Sequence, residues 1–212
     1  MGDINFYYLF CIFAVALFSM ILHEMGHALV ALWQGDQTAK LAGRISLNPL
    51  KHIDPIMTII VPLLLALTGM PVFGGAKPVP INTRNLKNAE WSFALVAIAG
   101  PLVNFILAFV FYGIFLLSHT EWLAQLASTG VMVNLGFMLF NIIPIPPLDG
   151  SRVLYALAPD FIREFMKKIE RHGFIVIYIL LFFFGTLLSN YIYTGEDLVL
   201  GWFESFYSMI GL

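Results

Sequence analysis

His23 and His27 stand four residues apart with Glu24 beside the first, in the stretch His23-Glu24-Met25-Gly26-His27. On an α-helix that spacing puts both imidazoles on one face, one turn apart. Imidazoles so placed can share one metal ion at about 2.0–2.1 Å, the usual zinc–nitrogen distance. The neighbouring carboxylate is placed to take a proton from a water on that metal. The motif closes an apolar run that begins near Phe6. Ionisable groups on a membrane helix are costly to desolvate without partners and mark functional sites. A surface helix with the same spacing by chance would not follow so long an apolar run.

Two histidines leave a catalytic zinc one protein ligand short. Asp149 is the best candidate for the third. It follows Pro144-Ile145-Pro146-Pro147-Leu148 at the end of an apolar run, at the depth expected of His27. The competing reading is that Asp149 caps a short helix starting near Ser151. His52, Asp54 and Glu90 are weaker candidates, since they lie in polar loops where solvation explains them. His119 and His172 are expected at the interfaces. Asn104 and Asn141 lie inside apolar runs, where an amide must find hydrogen-bond partners. Interhelical bonding is the plain explanation for each. Asn104 follows Gly100 by one turn on the same face, and a donor there would hold a substrate carbonyl or an oxyanion. Both asparagines are therefore carried as substrate-binding candidates.

The elements that position these residues must be membrane helices. The 212 residues are 59% hydrophobic and 11% charged, against about 25% charged for a soluble domain. Mean hydropathy is +0.85. The net charge of −2 says nothing about nucleic acid, but there is no basic cluster interleaved with aromatics, and no nucleic-acid partner is expected. The single Cys11 cannot form an internal disulfide and reads as a packing residue. The amino terminus lacks the positive region of a signal peptide, and Phe6 stands where a myristoylation signal needs Ser or Thr.

The pattern predicts an all-α polytopic membrane protein with four full transmembrane helices, a re-entrant hairpin and an extended edge-strand segment. The spans are Phe6 to Trp33, Trp91 to Leu117, Leu126 to Ile143 and Gly173 to Ser189. The chain reads as one domain over 1–212, with a core from 6 to 158. The segment 159–212 holds the last span and a broken tail, Asn190 to Leu212, placed in the interface. Ile53 to Met70 is just long enough to cross but contains Pro55 and Pro62. If it enters and leaves on one side, every Lys and Arg falls in the cytoplasm. The amino terminus is then outside, and the metal motif lies near the cytoplasmic face of what reads as a prokaryotic cell membrane. The stretch 72–82 reads as extended chain, its prolines suiting an edge strand.

Three motifs together resemble the site-2 protease family of intramembrane zinc metalloproteases. They are His23-Glu24-Met25-Gly26-His27, Ala99-Gly100-Pro101-Leu102-Val103-Asn104, and Asn141 through Pro144-Ile145-Pro146-Pro147 to Asp149-Gly150. The chain is similar to the short prokaryotic members without a PDZ domain, which share the stretches at 48–55 and 75–80. The resemblance implies a Zn2+ cofactor held by His23, His27 and Asp149. It also implies Glu24 as general base, Asn104 in contact with substrate, and a transmembrane protein as substrate within the lipid bilayer. Two other classes share the features: a chaperone-like binder of membrane helices on the same scaffold, and a metal transporter. The latter often shows two related halves, and none is visible here.

Overall fold

The computed structural model describes residues 6–68 and 74–212. Its α-helices are α1 (Phe6–Trp33), α2 (Thr38–Leu41), α3 (Val61–Leu67), α4 (Ala89–Leu116), α5 (Glu121–Ile142), α6 (Gly150–Leu157), α7 (Asp160–Glu170) and α8 (Gly173–Met209). Among the described residues there is no strand. Four helices, α1, α4, α5 and α8, are long and apolar enough to cross a membrane, so the chain is an all-helical integral membrane protein.

The centre is α1 against α4 against α5, each neighbour antiparallel to the next. Small residues let α1 and α4 approach closely. A Cβ on Gly26 would lie 2.8 Å from Val103 Cγ2 and 3.1 Å from the Ala99 carbonyl. Between α4 and α5, a Cβ on Gly130 would run into the Phe111 ring. Lys and Arg are confined to 34–88 and 149–172, the stretches that follow α1 and α5 at one end of the bundle.

The tail differs from expectation. Hydropathy breaks after Ser189 at Asn190, Glu196 and Asp197, but the helix does not: α8 runs unbroken for 37 residues. Aromatic packing holds its second half on the bundle rather than in the interface. Phe203 is fully buried among Phe105, Phe109 and Tyr112 of α4, and the Tyr207 hydroxyl donates to the Phe109 carbonyl at 2.9 Å. Tyr191 donates likewise to the Leu139 carbonyl of α5 at 3.3 Å.

Between α1 and α4 the chain first turns around Asp36. Its carboxylate is buried and accepts from the Thr38 N–H at 3.0 Å, the Thr38 hydroxyl at 2.5 Å, the Asn82 N–H at 2.7 Å and Asn85 Nδ2 at 3.0 Å. Burial alone would raise its pKa, but these donors outweigh it and hold the carboxyl below its ordinary value. Further on, Asp54 caps a π-helical turn, Pro55–Ile60, by accepting from the Ile56 and Met57 N–H groups. That turn and α3 together reach about 20 Å at 1.5 Å per residue, less than the ~30 Å hydrocarbon core. The chain then returns beside its own outward limb. The Gly75 N–H donates to the Met57 carbonyl at 3.1 Å and the Lys77 N–H to the His52 carbonyl at 2.8 Å. Of the expected extended segment, residues 72 and 73 lie outside the described residues. Residues 74–82 have neither helix nor ladder pairing.

Candidate metal centre

The two histidines come from the second half of α1, where an uninterrupted helix gives them the one-turn separation their spacing predicts. Asp149 arrives from the α5–α6 connection. Prolines at 144, 146 and 147 prevent helix there, and the chain folds back on itself. The Leu148 N–H donates to the Ile145 carbonyl at 2.9 Å, and Ser151 Oγ to the Leu148 carbonyl at 2.6 Å. Gly150 permits the fold-back, because a Cβ there would collide with the Ile142 carbonyl. Gly100 of α4 forms the floor under both imidazoles. A Cβ on it would lie 2.5 Å from His23 Nε2 and from His27 Cε1.

Asp149 Oδ2 sits 3.2 Å from His23 Nε2 and 3.4 Å from His27 Nε2, and the two Nε2 atoms are 3.0 Å apart. Asp149 occupies the cap position of α6 but makes no side-chain cap bond. Its Oδ2 is buried without a hydrogen-bond partner. The capping explanation of this residue therefore finds no support in the geometry.

The other ring nitrogens decide what the Nε2 atoms present. His27 Nδ1 lies 2.7 Å from the Val96 carbonyl, which only accepts, so Nδ1 carries the proton. His23 Nδ1 lies 2.5 Å from Asn104 Oδ1. The orientation of that amide is set from behind. Asn134 Nδ2 donates to the Gly130 carbonyl at 2.8 Å and to Ser19 Oγ at 2.9 Å, which turns Asn134 Oδ1 towards Asn104 Nδ2 at 2.9 Å. Asn104 Oδ1 is then left to accept from His23. In the neutral rings both Nε2 atoms carry lone pairs. With the rings neutral, two nitrogen lone pairs and a carboxylate oxygen converge on one point, an arrangement that favours a cation among them. Tetrahedral bonds of about 2.0–2.1 Å would separate ligand atoms by about 3.3 Å, close to the three distances observed. The residues fit a zinc ion.

Glu24 is half-buried, and its Oε2 accepts the Val79 N–H at 3.1 Å. With His23, His27, Asp149 and Asn141 it lines a cavity of about 490 Å³ that residues 74–76 border. Asn141 uses its amino group locally, on the Phe137 carbonyl at 2.9 Å. Asn104 is fully buried, with one end on His23 and the other on Asn134. The structure therefore brings together His23, Glu24, His27, Asp149 and Asn141 at the cavity, and puts Asn104 behind His23. The weaker candidates stand apart. His52 is buried with Nε2 on the Ser46 carbonyl, Glu90 pairs with Arg163, and His119 and His172 are exposed. Asn134 and Ser19 were not singled out from the sequence. Asn134 carries the same signal as Asn104, an amide inside an apolar run, and Ser19 precedes His23 by one turn.

The model of peptidase family M50 matches residues 11–128, which holds the first two motifs; Asp149 lies beyond it and enters the site by geometry. The chain is 40% identical over 204 residues to "Putative zinc metalloprotease YwhC" of Bacillus subtilis, covering 89% of both chains. It is 31% identical over 170 residues to "Putative zinc metalloprotease Rip2" of Mycolicibacterium smegmatis, covering 78% of this chain and 64% of that one. No solved structure shows a significant match. A pair of histidines one turn apart on a membrane helix, a carboxylate brought beside them by the proline-rich turn, and a family match over more than half its length lead to one assignment: the chain belongs to peptidase family M50, the site-2 proteases.

Proposed function

We propose that the protein is an intramembrane zinc endopeptidase that hydrolyses peptide bonds in or near transmembrane segments of other membrane proteins. The observation that carries this is the convergence of one potential ligand atom each from His23, His27 and Asp149 beside the Glu24 carboxylate, in a cavity among membrane helices. A zinc ion held by His23, His27 and Asp149 would supply Lewis acidity to the scissile carbonyl and acidify the attacking water. Glu24 takes the proton from that water and returns it to the leaving nitrogen. Asn104 keeps His23 in the tautomer that points its lone pair at the site, and Asn141 lines the wall where a substrate backbone would lie.

A peptide bond inside a helix is already hydrogen-bonded, so a substrate segment must unwind before it enters. Residues 74–79 border the cavity and are held on one side through alternate residues. The Gly75, Lys77 and Val79 N–H groups all donate inward. The extended-edge reading expects the unwound segment to pair with this limb in the manner of strand addition, at 74–76, since Pro78 and Pro80 carry no N–H and Arg44 holds the Pro78 carbonyl. The same limb belongs to a re-entrant hairpin that leaves and rejoins one side of the membrane. The basic end of the bundle is then cytoplasmic and the amino terminus outside.

Bound zinc per chain in detergent-purified protein tests the centre. Wild type should hold about one zinc and Asp149→Asn much less, with both folded. Glu24→Gln should keep the zinc and lose cleavage of a transmembrane-helix reporter. Equal zinc in wild type and Asp149→Asn would remove Asp149 from the ligand set. Full activity in Glu24→Gln would remove the general base.

A further inference from the structure

We propose that Arg44 is a positioning residue for Glu24, acting through a single peptide unit; this rests on Glu24 being the general base. Arg44 is buried, 5% exposed, and two carbonyl oxygens hold its guanidinium. Nη1 donates to the Lys51 carbonyl at 2.5 Å and Nη2 to the Pro78 carbonyl at 2.9 Å. The Pro78 carbonyl and the Val79 N–H are the two ends of one planar peptide. The far end donates to Glu24 Oε2 at 3.1 Å. A cation, a peptide dipole and a carboxylate are thus joined in line across three separate parts of the chain.

The arrangement has two physical effects. The guanidinium draws electron density towards the Pro78 oxygen, which strengthens the donor at the other end, as chains of hydrogen bonds do in a dry site. It also fixes where that donor stands. Pro78 and Pro80 restrict the backbone on either side of Val79. The Val79 side chain is buried against Ala28, one helical turn beyond Glu24. The segment therefore grips α1 at two points, one polar and one apolar, and Arg44 ties it to the preceding loop. Held by Oε2, the Glu24 carboxylate keeps one orientation, with its second oxygen left for the reacting water.

The test combines amide hydrogen exchange with cleavage of a fluorogenic transmembrane-helix peptide in micelles. In Arg44→Gln, exchange at Lys77 and Val79 should accelerate about tenfold or more, while α1 and α4 keep their protection and zinc content is unchanged. kcat should fall about tenfold, a size typical of groups that orient a metal site from behind, with KM changed less than about twofold. Arg44→Lys should recover part of both, since an ammonium still reaches one carbonyl. Val79→Pro removes the N–H and leaves Arg44 in place, so it should lower kcat similarly. Adding Arg44→Gln to Val79→Pro should then cost less than about twofold, because the two act on one interaction. Fully multiplicative losses, wild-type kcat in Val79→Pro, or unchanged exchange at Lys77 and Val79 in Arg44→Gln would each overturn the proposal. If Arg44→Gln does not fold, Arg44→Lys and Val79→Pro still decide it. If zinc-loaded wild type leaves the peptide intact, the proteolytic reading falls. Exchange at Val79 in Arg44→Lys and Glu24→Ala still decides whether Arg44 holds this peptide on the carboxylate, unchanged protection in both overturning it.

Discussion

Substituting Gly100 with alanine should disable the metal centre without touching a ligand. The added Cβ would stand 2.5 Å from His23 Cε1, His23 Nε2 and His27 Cε1, where ordinary contact begins at 3.4 Å. Both imidazoles must therefore retreat by about 0.9 Å, whereas ligand distances in a working site hold within about 0.2 Å. Neither ring is free to move alone, since His23 is tied to Asn104 and His27 to the Val96 carbonyl on α4 itself. Either α1 and α4 separate or the rings break these bonds, and both routes pull the ligand atoms apart. Zinc affinity should fall about 10–100-fold, the size seen when ligand orientation is lost, and overpacking should destabilise the fold by about 1–3 kcal/mol. Competition against a chromophoric chelator gives the affinity, and thermal unfolding in micelles gives the stability. Wild-type zinc affinity in a folded Gly100→Ala protein would refute the close approach of α4 to the imidazoles.

Asn104→Ala should weaken zinc about 10–100-fold and leave Asn134 without its acceptor's partner, at about 1–3 kcal/mol; chelator competition and thermal unfolding measure the two. Removing zinc should lower the unfolding temperature, since zinc at a thousand times its dissociation constant stabilises the native state by about 4.1 kcal/mol; scans with and without chelator read this directly. Asp36, with its folded pKa below 3.8, adds stability that is fully present above the unfolded pKa and lost as pH falls below about 4 towards the folded value. Asp36→Asn should therefore be less stable at neutral pH, by about 1–3 kcal/mol for unpaired buried donors, and should lack that part of the acid dependence in a pH series of unfolding curves.

The centre was legible because its residues announce themselves by type. Ionisable groups in apolar runs are rare, and helical spacing converts His23 and His27 into one face. Asp149 was legible from the proline-rich turn that carries it, and the structure sets its carboxylate beside both imidazoles without a cap bond. What the sequence hid falls into two kinds. The continuation of α8 was hidden because hydropathy reports solvent preference, while Phe203 and Tyr207 form a helix by packing on α4. The Val79 N–H and Pro78 carbonyl were hidden because they are backbone groups, which no residue letter encodes. The role of Arg44 was hidden for the same reason, its partners being carbonyls 7 and 34 residues away.

The buried amide chain from Ser19 through Asn134 and Asn104 to His23 also constrains how the protein is made. Ser19 meets Asn134 across 115 residues of sequence. At a synthesis rate of about 5–20 residues per second, α1 precedes this partner by about 6–23 s. Through that interval it must hold a hydroxyl, two imidazoles and a carboxylate in or near the bilayer with none of their final neighbours present. Such a helix is a reluctant inserter on its own. Its polar groups sit in its second half, so it can stay at the membrane surface with that end hydrated while α4 and α5 emerge. The chain of buried amides can close only once the last of the three helices has arrived, and Asp149 follows that helix.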